Sequence, residues 1–383
     1  MSVTAAAGFR AAGVPAGIKA GGGLDLALVV NDGPSAAAAG VFTSNRVKAA
    51  PVLWSERVLA TGRLTAVVLN AGGANACTGP AGFADTHHTA EAVAVALGVG
   101  ALDVAVCSTG LIGERLPMPA LLDGVAMAAA ALSPTGGDKA ADAIRTTDTV
   151  PKTAVHAGNG WVVGGMAKGA GMLAPGLATM LCVITTDAVV PATELDAALR
   201  SATAATFDRI DSDGCMSTND TVLLLASGAS GLTPPAADFA AAVRGVCAEL
   251  GRRLLADAEG ATKDITIEVV GARSVPDAVE VGRAVARSNL LKCALYGEDA
   301  NWGRVLAAVG TTAAAFDPDA LDVAINRVAV CRAGAAGESR DLVNLSGRAI
   351  HIMINLHAGN EAATVWTNDL TPGYVHENSA YSS

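Results

Sequence analysis

The chain has 383 residues, of which 51% are hydrophobic, 16% charged and 3% aromatic, and its formal net charge is −10. It is too apolar to be disordered and long enough for two domains around cores of small aliphatic side chains. An acidic chain without a basic stripe is a poor partner for nucleic acid, and no apolar run reaches the length of a membrane span.

Seven cysteines lie scattered without a Cys-x-x-Cys spacing, and several, such as Cys107 and Cys182, sit inside apolar runs. Their odd number and apolar settings predict reduced core thiols of a cytoplasmic protein. The first residues lack the continuous apolar segment of a secretory signal, so none is expected.

Residues 24–30 and 39–43 are predicted strands, split by the turn Asn31-Asp32-Gly33-Pro34. Residues 64–70 form another and run into a glycine-rich stretch bearing Asn70 and Asn75, which by itself reads as a plain loop. Residues 83–97 have helical spacing with Asp85 as a cap. His87 and His88 are adjacent on that helix, which is not the i, i+4 pair of a zinc helix. A short buried strand over 102–107 ends in Ser108-Thr109-Gly110. A strand ending in Thr-Gly offers a hydroxyl and an unhindered backbone N–H at one edge, two donors suited to an oxyanion hole. A helix over 117–131, the segment 138–148 and a strand over 160–166 follow.

The stretch from Lys168 to Asp187 changes character midway. Up to Gly176 its glycines and Pro175 predict turns, and residues 180–184 predict a buried strand. Thr179 stands on the junction, after Leu177 and Ala178. A Thr at the start of a strand is ordinary, because Thr favours strands. The same placement suits a chain that cuts itself before the Thr. The freed α-amine, with an ordinary pKa of about 7.7–8.0, then serves as base for its own hydroxyl.

Residues 191–206 predict a capped helix with Pro191 near its start. Asp211-x-Asp213-Gly214 opens like a calcium loop, but Cys215 stands at the fifth position and the closing Glu is missing, so calcium is rejected. A strand over 221–226, a long helix over 236–257, a strand over 264–270 and a helix over 276–290 come next, followed by strands near 321–330, 349–356 and 362–367. The pattern predicts an α/β fold, an α+β layered sandwich. No fixed-period repeat, Walker A loop, dinucleotide fingerprint or Gly-x-Ser-x-Gly elbow occurs. No cofactor and no metal are therefore expected.

Seven motifs say more: GVFTSNRVKAAPV (40–52), NAGGANACTG (70–79), TTDTVPK (146–152), GGMAKGAGMLAPGLATML (164–181), STNDT (217–221), NWGRV (301–305) and ENSAYSS (377–383). On these the chain resembles, from end to end, the ornithine acetyltransferase family of arginine biosynthesis. The resemblance implies an N-terminal-nucleophile-like architecture that cleaves itself at the Ala178–Thr179 bond. The products would be an α chain, 1–178, carrying the oxyanion-hole side, and a β chain, 179–383, with Thr179 at its N-terminus. It implies Thr179 as nucleophile and Thr109 with Gly110 as oxyanion donors. Thr146, Lys168, Thr179, Glu259, Asn378 and Ser383 are the implied substrate contacts, with Thr147 adjoining Thr146. Gly73 and Ala300 depart from the pattern, standing where relatives often have Asn and Pro.

The implied reaction moves acetyl from N2-acetylornithine to glutamate through an acetyl-threonine ester, in ping-pong fashion, in the cyclic route to arginine. Acetyl-CoA is a further possible donor, and a cytoplasmic α2β2 heterotetramer is the implied assembly. Three alternatives stand beside it: a self-processing aminopeptidase or amidohydrolase of related architecture, a specialised family member in secondary metabolism, and a non-catalytic binding protein on the same fold. Without the resemblance, Glu259 reads as a solvated helix end, Lys168 as a surface loop charge, and Asn378 with Ser383 as a frayed tail.

Overall fold

A computed structural model describes residues 2–173 and 180–380 and arranges them as three β-sheets with their helices. The first sheet orders the strands Phe9–Val14, Leu26–Asn31, Ala66–Ala71 and Val104–Thr109, with the last pair parallel. The second orders Ala37–Phe42, Thr221–Ala226, Leu181–Thr186, Val162–Lys168 and Lys152–Ala157. Leu181–Thr186 and Thr221–Ala226 are buried along their whole length. Such strands must be covered on both faces, and their apolar runs are the consequence.

Leu181, Val183, Leu223 and Leu225 point into one core with the first sheet, whereas Cys182, Ile184, Val222 and Leu224 point into a second. That second core is closed by the helices Ala192–Ala205 and Ala236–Ala256. The helices Gly79–Leu97 and Met118–Ala130 cover the first sheet. The result is four layers, helix, sheet, sheet, helix, which is the layered α+β class expected from the element pattern.

A third sheet holds the strands Ala335–Ala336, Val328–Arg332, Asp322–Ile325, Ala349–Asn355, Asp264–Ala272 and Glu361–Asn368 in that order. Its strands alternate buried and half-buried residues, and its buried face packs on the helices Val275–Ala286, Asn289–Tyr296 and Trp302–Val309 in a core of its own. The second sheet draws strands from both sides of the 178/179 junction. Val162–Lys168 precedes it, Leu181–Thr186 follows it, and the two are antiparallel neighbours. Among the described residues no helix is long and apolar enough to cross a membrane.

Several local expectations change. Asp85 lies inside the helix Gly79–Leu97, and its buried carboxylate takes Arg115 through two bonds of 2.8 and 2.6 Å, so it is no cap. The stretch 321–330 is a hairpin, turned by Asn326 and Arg327 at φ 47° and 73°. Helix 276–290 is two helices, Val275–Ala286 and Asn289–Tyr296, the second capped by the Ser288 hydroxyl. The strand Phe9–Val14 has no strong β pattern in its sequence. A Cβ on Gly13 would stand 2.1 Å from the Lys139 carbonyl oxygen, so close packing against the helix Gly137–Ala143 requires the small residue there.

Candidate active site

The strands Ala66–Ala71 and Val104–Thr109 run parallel, with Ala71 beside Thr109, and so end at one edge. The chain then turns so that the Gly72 and Gly73 amides both donate to the Thr109 carbonyl, at 2.9 and 3.0 Å. Gly110 follows at φ 130°, and a Cβ there would sit 2.5 Å from the Gly73 nitrogen, so only glycine fits. The glycine-rich stretch after strand Ala66–Ala71 is thus no plain loop; it braces the Thr109–Gly110 corner. Asn70 assists, accepting from the Ser108 hydroxyl at 2.6 Å and donating to the Gly73 carbonyl at 3.0 Å.

That corner opens on a cleft of about 290 Å³ whose wall includes Thr109, Gly110, Thr146, Lys168, Glu259 and Asn378. Six of the residues singled out in the sequence, spread from position 109 to position 378, therefore meet in one place. Ala178, Thr179 and Ser383 lie outside the described residues.

Lys168 ends the strand Val162–Lys168 and is fully buried. Its ammonium donates to the Thr109 hydroxyl oxygen at 3.3 Å and lies 4.0 Å from Asp148 Oδ2. Burial lowers its pKa, and Asp148 works against that shift. The surface charge read from local sequence is therefore an interior one.

Glu259 follows the helix Ala236–Ala256 and is buried in the turn behind it. Its amide donates to the Ala170 carbonyl at 3.1 Å. Its carboxylate accepts from the Thr147 hydroxyl and from the Asn378 amide, each at 2.8 Å. A Cβ on Gly171 would come within 2.7 Å of that carboxylate. Asn378 is carried by the helix Pro372–Ala380 rather than by a frayed tail. The Thr371 hydroxyl donates to the Gly260 carbonyl at 2.7 Å and accepts from the Tyr374 amide at 3.1 Å, which fastens the start of that helix beside Glu259.

Other residues of the site received no role from the sequence. Asn219 donates to the carbonyls of Ala74 and Ser108 at 2.6 and 2.8 Å, pinning the STNDT segment to the Thr109–Gly110 corner. Asp220 is fully buried and accepts from the Met180 amide at 2.9 Å. Burial pushes its carboxyl well above the ordinary range. Asp213, from the rejected calcium loop, instead accepts the backbone amides of Cys215, Leu173 and Met172, and so holds the approach to the junction. The signal for Asn219 and Asp220 lay in the STNDT motif that contains them, whereas Asp213 lies outside all seven motifs.

Chemically, the cleft offers a hydroxyl and a glycine amide at a strand edge, a buried ammonium on one wall and a carboxylate on another. That set suits a zwitterionic amino acid and an acyl group whose carbonyl oxygen gains charge during reaction.

The model of the ArgJ family matches residues 10–383. Over 383 residues, and all of both chains, the sequence is 69% identical to the arginine biosynthesis bifunctional protein ArgJ of Streptomyces avermitilis. It is 62% identical, over 389 aligned positions covering all of this chain and 96% of the relative, to the protein of the same name from Mycobacterium leprae. Among solved structures, ornithine acetyltransferase from Mycobacterium tuberculosis in complex with ornithine is similar at 66% identity, with 47% of this chain and 96% of that chain covered and a TM-score of 0.45.

Proposed function

The chain belongs to the ArgJ family of arginine-biosynthesis acetyltransferases, and from that premise we propose that it moves acetyl from N2-acetylornithine to glutamate through an ester on Thr179. The observation that carries this reading is the convergence of Thr109, Gly110, Thr146, Lys168, Glu259 and Asn378 on one cleft. Lys168 suits the α-carboxylate shared by both amino acids, and Glu259 suits the side-chain ammonium of ornithine.

Maturation comes first. The Thr179 hydroxyl oxygen attacks the Ala178 carbonyl, the Ala178–Thr179 amide bond breaks, and water hydrolyses the ester. This frees the Ala178 carboxyl and the Thr179 α-amine. In catalysis that amine takes the proton of the hydroxyl as it attacks the acetyl carbonyl. The Thr109 hydroxyl and the Gly110 amide donate to the oxyanion. The acetyl C–N bond then breaks, ornithine leaves with the proton on its α-amine, and the enzyme holds an acetyl ester. The glutamate α-amine attacks the ester, and the Thr179 hydroxyl is restored. No step calls for a metal or cofactor.

The two chains would remain interlocked through the shared second sheet, in an α2β2 assembly of the cytoplasm. The relatives' designation as bifunctional supports a second donor, acetyl-CoA, delivering acetyl to the same Thr179. The deciding experiment follows N-acetylglutamate formation from glutamate with acetylornithine, and separately with acetyl-CoA, as sole donor. Transfer from acetylornithine that disappears in Thr179→Ala is expected. Release of free acetate at the same rate with and without glutamate would mean a hydrolase instead.

A further inference from the structure

Asp148 belongs to no role assigned so far, yet its side chain has no exposed surface and sits at a crossing of four contacts. Oδ1 accepts from the Lys152 ammonium at 2.5 Å and from the Gly169 amide at 2.7 Å. Oδ2 accepts from the Thr146 amide at 3.1 Å and lies 4.0 Å from the Lys168 ammonium. One carboxylate thus touches the residues on either side of the Lys168–Gly169 bond and the backbone of Thr146.

The contacts continue past Lys152. Its ammonium, also wholly buried, donates to Asp257 Oδ2 at 2.5 Å. Asp257 in turn accepts from the Thr149 amide at 3.0 Å and from the Thr149 hydroxyl. Asp257 stands two residues before Glu259. From Thr109 a line of alternating charge therefore runs Lys168, Asp148, Lys152, Asp257, buried up to the partly exposed Asp257 and ending at the turn that presents Glu259. It joins the oxyanion corner to the opposite wall of the cleft, and it crosses from residues before position 179 to residues after it.

Resting on the acetyl-transfer reading, we propose that Asp148 is the positioning residue of this cleft, holding Lys168 as an ammonium against Thr109 while Lys152 and Asp257 hold Asp148. The physical reason is the cost of a buried charge. An isolated buried ammonium tends to lose its proton rather than remain unpaired, and an anion within about 4–6 Å opposes that tendency. The titratable groups facing Lys168 are Asp148, Lys152, Asp220 and Glu259, with Asp148 acting most strongly among them. Burial opposes ionisation of Asp148 itself, but Lys168, Lys152 and the Gly169 amide outweigh it and hold the carboxyl at about 2. Asp148 is thus an anion throughout the working range.

The test uses the full chain with Asp148→Asn. The replacement keeps the size and one acceptor oxygen, for Gly169 or Thr146, while it removes the charge and turns the other oxygen into an amide donor. Lys168 should then lose its proton at a pH lower by about one to three units. The alkaline limb of kcat/KM moves down by the same amount, and KM for acetylornithine and glutamate rises at least tenfold at pH 8. A purely structural role would lower the active fraction and leave the pH profile in place. Should the single variant not fold, Asp148→Asn with Lys152→Met removes a buried pair together, a change proteins often tolerate. It predicts a smaller shift in the same direction, because Asp148 outweighs Lys152 at Lys168.

NMR titration of lysine 13Cε in wild type and variant reads the Lys168 midpoint without any assay of activity. An unmoved midpoint in a folded variant overturns the proposal, whatever the enzyme does. Failure of wild type to transfer acetyl overturns the functional reading and leaves the NMR result to decide the role of Asp148.

Discussion

The Lys168 ammonium donates to the Thr109 hydroxyl oxygen across 3.3 Å. An ammonium has no acceptor, so the hydroxyl proton of Thr109 must be given to something other than Lys168. The arrangement leaves Thr109 free to donate toward a developing oxyanion, and a cation behind the hydroxyl strengthens it as a donor. Thr109→Ala should therefore lower kcat by about 10²–10³ with the fold retained, whereas Thr109→Ser should keep most of the rate. Steady-state kinetics beside circular dichroism checks this, and an Ala variant within a factor of about three of wild type would place the donors elsewhere.

Self-cleavage at Ala178–Thr179 predicts two chains by intact mass that co-purify through every step short of denaturation. Their association follows from the sheet, since Lys168 pairs with Leu181 and Val163 with Thr186 across the junction. Thr179→Ala should remain one chain. Fully active wild-type enzyme that consists of a single unbroken chain would end the idea.

The proposed ester mechanism would separate the two half-reactions in time. Varying acetylornithine and glutamate together should give parallel double-reciprocal lines. A brief exposure to acetylornithine alone should add one acetyl group to the peptide that begins at Thr179. Intersecting lines, with no acetylated peptide after rapid quench, would point to direct transfer in a ternary complex.

Asp220 predicts a dependence of stability on pH. Burial raises its carboxyl well above the ordinary range, so it contributes stability that is whole below the unfolded pKa, about 4, and is lost as pH rises through the raised folded value. Asp220→Asn keeps an acceptor for the Met180 amide and removes the titration. Between pH 5 and pH 8 the Tm of wild type should fall more steeply than that of the variant. Equal slopes in differential scanning fluorimetry would show that the Asp220 carboxyl does not carry the effect.

Part of this fold is legible without coordinates. The expected strand at 221–226 and long helix at 236–257 match Thr221–Ala226 and Ala236–Ala256 closely, because a doubly covered strand must be apolar throughout and a long surface helix must keep one apolar face. The strand-end Thr-Gly at 109–110 also announces itself as an apolar run stopping at a glycine, and the φ of 130° at Gly110 bears the glycine out. By contrast, Phe9–Val14 is a strand only through its neighbours, and Asp85 looks like a cap until Arg115 is seen beside it.

For the site, the sequence by itself determined the family, through motifs long enough to be specific, and with it the residues to inspect. It did not determine where their side chains lie. Local sequence reads Lys168 as a surface loop charge, Glu259 as a solvated helix end and Asn378 as part of a frayed tail, because each is polar and lacks a partner nearby in sequence. Only the tertiary structure decided that Lys168 is interior, that Glu259 is held between Thr147 and Asn378, and that residues Pro372–Ala380 form a helix on the cleft. The reason is electrostatic. Whether a charge stays in water or is buried depends on its partners, and the buried Lys152 has one partner four residues away, Asp148, and another 105 residues away, Asp257. No window of sequence contains both partners, so the line of charges from Thr109 to Asp257 exists only once the chain has folded.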